Sequence, residues 1–168
     1  MLSTLHTNSA SDTVVRLLNM GVEAFNLISA LNAVVAQRLV RTICKKCRIS
    51  DSSVTPDLMI QMGIPAQYVA QVRAYKGKGC QACYYTGMTG RMAVHEVMII
   101  DEQVKNAIVK NLPATQIKRV AMEAGMRTLR QSALNKMVAG VTTALEVTKV
   151  TASDDIGVHD TANNQGVA

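Results

Sequence analysis

The sequence predicts an α/β chain that is mostly helical and carries a small metal-binding lobe, on three observations. Hydrophobic residues make up 48% of the chain but aromatic residues only 3%, with no Trp and one Phe. A core of Leu, Val, Ile, Ala and ten Met packs adaptably and suits helices better than a β-sandwich. Apolar residues recur at spacings of three and four along much of the chain, interrupted by one run of mixed alternation, "MAVHEVMII". Lastly, the four cysteines fall as two C-x-x-C steps with 32 residues between them.

Residues 1–7, "MLSTLHT", read as the end of a strand. A strand that opens a chain has no earlier segment to supply sheet neighbours, so the sequence is expected to be cut from something longer. Ser9 or Ser11 then caps a helix with Val14, Leu17 and Leu18 on its apolar face and Gly21 as its stop. Phe25, Ile28, Leu31, Val35 and Leu39 follow at helical spacing, which predicts a second helix reaching Leu39. Arg38 and Arg41 would lie near its end, where positive charge favours a helix C-terminus.

After Cys44 and Cys47, "RISDSSVTPD" is polar and reads as a loop. Thr55 and Pro56 cap and begin a short helix over Asp57 to Met62, and residues 65–72 form another. "YKGKG" breaks the helical pattern before Cys80, "TGMTGR" reads as a turn and "MAVHEVMII" as a strand. Helices are then expected at 102–110, 114–124, 128–139 and 143–150, punctuated by Gly125 and Gly140. Residues 151–168 cannot bury enough apolar surface to order themselves and are expected to be a disordered tail.

The formal net charge is +6, unevenly spread. The tail holds Asp154, Asp155 and Asp160 and no cation, which leaves 18 positive and nine negative charges on the first 150 residues. Such a surplus favours anionic partners in general without choosing one. No signal peptide and no apolar stretch long enough to span a bilayer is evident, so a cytoplasmic protein is expected.

A C-x-x-C step turns two thiolates into one volume, and two such steps make a tetrahedron. Cys44, Cys47, Cys80 and Cys83 are therefore candidate metal ligands. Zinc prefers four sulfurs at about 2.3 Å with no position left for water, which defines a structural site; iron accepts four thiolates as well. Disulfides need an oxidising compartment, and a redox pair would leave the other cysteines unexplained. Lys45, Lys46, Arg48, Lys76 and Lys78 flank the cysteines, where they either offset the charge of a four-thiolate centre or form an ordinary solvated surface. His95 and Glu96 are adjacent in the expected strand, so their side chains face opposite ways and form no joint acid/base pair.

The stretches "STLHTNSASDTVVRLLNMGVEAFNLISALNAVVAQRLVRTICKKC", "GCQACYYTGMTGRMAVHEV" and "GVTTALEVTKVT" together resemble the C-terminal part of the secretion ATPases of type II secretion and type IV pilus assembly. The likeness runs from about Ser3 to Thr151. "TLHTN" resembles the second half of that family's histidine box, and the two C-x-x-C segments resemble the entry to and exit from its metal-binding loop. Lys45 stands where the family normally has Pro, a change that leaves metal ligation intact.

The resemblance implies the C-terminal portion of a RecA-like P-loop ATPase domain with a zinc-binding four-cysteine lobe and a C-terminal helical subdomain. Residues 1–43 would end the ATPase core, 44–100 form the lobe and following strand, 101–150 the helical subdomain, and 151–168 the tail. It also implies a hexamer, inner-membrane platform and assembly proteins as partners, a peripheral position at the inner membrane, and ATP and magnesium in the full-length protein. His6 would lie on the nucleotide side.

No G-x-x-x-x-G-K-[ST] loop occurs in the 168 residues, and the only Gly-Lys pair is Gly77-Lys78. Without amides and a lysine to cradle phosphates, the chain alone is not expected to hydrolyse ATP. The alternative is a zinc-ribbon-like module binding nucleic acid or protein. Few aromatic residues and no dense Arg/Lys stripe argue against nucleic acid, which is not an expected partner.

Overall fold

The computed structural model describes residues 2–151. They form a mixed α/β structure in which eight α-helices pack around two antiparallel strand pairs. The tail expectation for 152–168 lies outside the described residues. Thr151, assigned to that tail, is instead buried and accepts a hydrogen bond from Arg130.

Residues 2–7 are irregular, in place of the expected strand. A strand needs a hydrogen-bonding neighbour, and none of the described strands runs beside this segment. Helix α1 (Ala10–Asn19) starts as expected: the Ser9 hydroxyl accepts from the Asp12 amide, and Ala10 and Val14 are fully buried. Helix α2 (Ala24–Ala30) is short, and the expected continuation to Leu39 is wrong. Strand β1 (Ala33–Ile43) begins two residues after Leu31. The residues taken for one helical face, Phe25, Val35 and Leu39, are exposed. β-branched Val34, Val35, Val40, Thr42 and Ile43 favour extended backbone, and the alternating set Val34, Ala36 and Val40 is what is buried.

Arg38 and Arg41 consequently cap no helix. The Arg38 guanidinium donates to the Thr7 carbonyl at 3.1 Å and to Asn8 Oδ1 at 3.0 Å, tying the irregular N-terminal segment to β1. The Arg41 backbone amide donates to Glu146 Oε2 at 2.9 Å.

Strand β4 (Met88–Ile99) pairs antiparallel with β1, from Ala33 opposite Ile99 to Ile43 opposite Met88, with an irregularity between Arg41 and Ile43. One face of this ladder, with Val34, Ala36, Val40, Val94, Glu96 and Met98, is buried. The Cys44–Gly87 connection leaves the far end of the ladder. It contains strand β2 (Arg48–Ser50), helices α3 (Pro56–Gln61) and α4 (Ala66–Val69), and strand β3 (Tyr75–Gly77).

The expected loop after Cys47 is therefore partly a strand, because β2 finds β3 as its partner across the two cysteine pairs. Asp51 at the end of that pairing holds Lys76 at 2.9 Å. Burial pushes the Asp51 carboxyl up, but Lys76 and Ser53 outweigh it and leave it below its ordinary value. Val54, Met59, Met62, Ile64, Val69 and Ala74 belong to the same hydrophobic cluster as the rest of the chain.

Helices α5 (Glu102–Val109), α6 (Ala114–Glu123), α7 (Leu129–Val138) and α8 (Ala144–Val150) agree with the four expected helices to within two residues. Asp101, Thr128 and Thr143 cap three of them with side-chain oxygens. The loop before α8 covers the free edge of β1: the Ile43 amide donates to the Val141 carbonyl, and the Thr142 hydroxyl donates to the Arg41 carbonyl.

Glu96 occupies an inward slot of β4 and is 1% exposed. Its Oε1 accepts from the Ala10 amide at 2.8 Å and its Oε2 from the Leu129 amide at 3.2 Å. Those are the first residues of α1 and α7, whose N-terminal amides have no partner within their helices and whose dipoles favour negative charge. Glu96→Ala removes the acceptor from two buried amides and is expected to destabilise the chain by about 2–4 kcal/mol in denaturant unfolding, with Glu96→Gln in between.

Candidate metal centre

The β1–β4 ladder delivers Cys44 from the end of one strand and Gly87, which precedes the other, to the same place, where the Cys44 amide donates to the Gly87 carbonyl at 2.9 Å. Each cysteine pair then forms its own turn. The Cys47 amide donates to the Cys44 carbonyl at 3.2 Å, and the Cys83 amide to the Cys80 carbonyl at 3.1 Å. The two turns are joined by the Lys78 amide on the Cys47 carbonyl at 2.9 Å.

The result gathers Cys44, Cys47, Cys80 and Cys83 with their Sγ atoms all within 4.8 Å of one another. Cys44 to Cys80 and Cys47 to Cys83 are each 3.9 Å, and Cys80 to Cys83 is 3.7 Å. A regular tetrahedron with zinc–sulfur bonds of about 2.3 Å has edges of about 3.8 Å. A disulfide would require about 2.05 Å. The cluster is thus compatible with a four-coordinate metal ion such as zinc, and all four cysteines are free thiols. Cys44 and Cys83 are buried, Cys47 and Cys80 partly so, which limits the access of water.

Backbone amides face the sulfurs. Gly79 donates to Cys47 Sγ at 3.3 Å, Cys80 to Cys83 Sγ at 3.2 Å, and Gly87 to Cys83 Sγ at 3.3 Å. Burial pushes the Cys83 thiol up, but the Cys80 and Gly87 amides outweigh it and bring it down to about 6. The Cys44 thiol is also held below its ordinary value, chiefly by Thr89. Burial pushes Cys47 up to about 12, only partly opposed by the Gly79 amide. Four thiolates at such spacing repel one another, so in the absence of a cation some sulfurs keep their protons.

Two glycines permit this closeness. A Cβ on Gly77 would lie 2.0 Å from the Gly87 carbonyl oxygen, and one on Gly87 would lie 2.4 Å from the Gly77 carbonyl oxygen. Neither backbone leaves room for a side chain, so Gly77 and Gly87 close the base of the loop that carries Cys80 and Cys83.

The other residues singled out from sequence fall elsewhere. His6 is exposed on the irregular segment and is not among the four-cysteine cluster. His95 is exposed and Glu96 buried, on opposite faces as the strand geometry requires. Of the flanking cations, Lys76 is engaged by Asp51 and Arg48 lies over the Tyr75 ring at 4.9 Å. Sequence reasoning missed the structural use of Glu96. Its signal was a carboxyl at an inward position, between Val94 and Met98.

The fold and the clustered cysteines define a mixed α/β protein with a four-cysteine centre. Residues 1–149 match the family described as "Type II/IV secretion system protein", and the chain belongs to that family. It is similar to the type IV pilus assembly ATPase PilB of Thermus thermophilus, 42% identical over 147 residues, covering 88% of this chain and 16% of that protein. It is similar also to PilB of Myxococcus xanthus, at 40% identity, covering 92% of this chain and 27% of that one. Type II secretion system protein E of Dickeya dadantii is 41% identical, over 90% of this chain and 29% of that protein. The chain therefore spans less than a third of the length of these relatives.

Gly77→Ala is expected to force open the base of the loop that carries Cys80 and Cys83 and raise amide exchange over residues 44–50 and 75–88. The stability loss should exceed about 2 kcal/mol, because only backbone can yield.

Proposed function

We propose that this chain is the C-terminal portion of a hexameric ATPase that powers type II protein secretion or type IV pilus assembly. The observation that carries the reading is the family match over residues 1–149, supported by relatives named as pilus assembly ATPases and type II secretion proteins. In this reading residues 1–43 end a RecA-like ATPase core. Residues 44–100 form the metal lobe with its following strand, and 101–150 form a helical subdomain that contacts neighbouring subunits. ATP and magnesium are bound by parts of the full-length protein outside this sequence. Partners are other copies of the protein and inner-membrane platform and assembly proteins, and the location is cytoplasmic and peripheral at the inner membrane. Among the described residues no helix is long and apolar enough to cross a membrane.

Cys44, Cys47, Cys80 and Cys83 hold zinc in this reading. A closed four-sulfur site offers no open position for water or substrate, so the ion would supply rigidity and no reaction step. It would clip the end of β1 to the start of β4 and keep the lobe in a fixed place on the core. His6 serves as a nucleotide-side residue. Its segment is held to β1 through Arg38, and its imidazole is exposed and available to a nucleotide bound elsewhere in the motor.

Metal analysis is expected to give about one zinc per chain, lost in Cys80→Ser. Because Cys47 keeps its proton up to about 12 without the ion, zinc loading at neutral pH releases protons and the affinity rises with pH. Calorimetry in buffers of different ionisation enthalpy measures that release.

No ATPase activity is expected of the chain alone. Activity should return when it is joined to an upstream half carrying the phosphate loop, and His6→Ala should then lower kcat by at least about tenfold with the zinc content unchanged.

A further inference from the structure

Two buried charges organise the C-terminal half of the chain, and only one of them has its full complement. Glu96 gives its carboxylate to the first amides of α1 and α7. Arg130, in the first turn of α7, is 7% exposed and reaches the opposite kind of helix end. Its Nε donates to the Met62 carbonyl at 3.2 Å, where α3 stops, and its Nη1 to Thr151 Oγ1 at 3.2 Å, where α8 stops. These neutral oxygens answer only part of the guanidinium. No carboxylate pairs with it, and its Nη2 has no partner among the described residues. A buried cation is ordinarily matched by an anion.

Arg130 also lines a cleft of about 190 Å³ between the starts of α1, α6 and α7, together with Ser9, Asp12, Glu96, Thr115 and Lys118. The two cations and two carboxylates of that lining cancel. The backbone tips the balance, because three helix N-termini, each equivalent to about +0.5 charge, adjoin the same space. Those of α1 and α7 already meet Ser9, Thr128 and Glu96. Helix α6 begins after Pro113 with no side-chain cap, and the amides of Ala114 and Thr115, both in the cleft wall, have no acceptor among the described residues. The cleft therefore lacks an anion at two adjoining places, on Arg130 and on α6.

The sequence carries carboxylates at the right distance. Residues 152–168 contain Asp154, Asp155 and Asp160 and no Lys or Arg. They follow directly on Thr151, which is buried and held both by Arg130 and by its own bond to the Val147 carbonyl. An extended chain covers at most about 3.5 Å per residue, so Asp154 and Asp155 reach about 10–14 Å from that fixed point. Arg130, which touches Thr151 and lines the cleft, lies within that range.

We infer that residues 152–168 close over this cleft as a strap, with Asp154 and Asp155 supplying carboxylates to Arg130 and to the open amides of α6. Bonds from a guanidinium or a helix-terminal amide to a carboxylate are charge-assisted and stronger than neutral ones. A tether of three or four residues holds the carboxylate at an effective concentration on the order of millimolar, so a contact too weak for a free peptide is populated within one chain. Asn8 also lines the cleft, and its Oδ1 accepts from Arg38. The strap would thus bear on the segment that carries His6 as well as on α6. The inference goes beyond the ATPase reading and needs neither nucleotide nor metal to be true.

The test compares amide NMR spectra and hydrogen exchange of the whole chain with those of the double variant Asp154→Asn, Asp155→Asn, at equal metal content. Neither substitution touches the hydrophobic core. The amides of Ala114, Thr115 and Lys118 and the Arg130 Nε–H are expected to shift in the variant. Exchange over residues 113–118 should quicken by at least about fivefold, with residues 44–50 unchanged. The melting temperature should fall by about 3 °C. Lys118→Gln should in turn shift the amides of Asp154 and Asp155, and Asp160→Asn should leave α6 as it was.

Unmoved α6 amides in the double variant overturn the inference. An equal response to Asp160→Asn also overturns it, because that marks a general effect of charge. So does faster exchange spread evenly over the chain, which marks global destabilisation. A response that grows with protein concentration overturns it as well, since the strap would then come from a second copy.

Discussion

The antiparallel pairing of β1 with β4 is the constraint on which the rest of this structure depends. Its register, from Ala33 opposite Ile99 to Ile43 opposite Met88, decides where everything between and around the strands goes. One-residue slippage would turn the buried set Val34, Ala36, Val40, Val94 and Met98 toward solvent, so the hydrophobic core enforces the register. With the register set, the two C-x-x-C turns emerge side by side, and four sulfurs converge without either turn needing to search for the other. The close approach of Gly77 and Gly87 then limits the geometry further.

The same ladder ties distant segments together through polar side chains. Glu96 holds the first amides of α1 and α7, while Arg38 on the partner strand holds the carbonyl of Thr7 and the side chain of Asn8. The segment carrying His6 and the helix that follows it are therefore fastened to the strands that end in the cysteine lobe. A displacement of the lobe along the ladder would reach the histidine segment through hydrogen bonds and would not depend on loose apolar contact. These connections join the His6 segment and the cysteine lobe to one hydrogen-bonded framework.

Much of the candidate site was legible in the residues. Two identical cysteine spacings in a chain with only four cysteines identified the cluster, because a C-x-x-C turn is a local device that works in almost any setting. The helices from α5 onward were legible as well, since Asp101, Thr128 and Thr143 mark their starts and Gly125 and Gly140 their ends. The stretch from Phe25 to Leu39 misled, because spacings of three and four also contain the alternation of a strand, and β-branched Val34, Val35 and Val40 decided between them. Residues 2–7 misled in another way: extended composition forms a strand only beside a neighbour, and the described residues provide none.

By itself the sequence determined which four cysteines cluster, the family, and most of the short-range elements, all of which depend on residues a few positions apart. Only the tertiary structure decided that β2 pairs with β3, that Glu96 serves two helices at once, and that Arg130 is buried against the ends of α3 and α8. Each of these depends on backbone brought together from remote positions, Glu96 and Ala10 being 86 residues apart in the chain. A carboxyl on a strand has no assigned partner until the core's packing carries two helix ends to it, and that packing is a property of the whole chain.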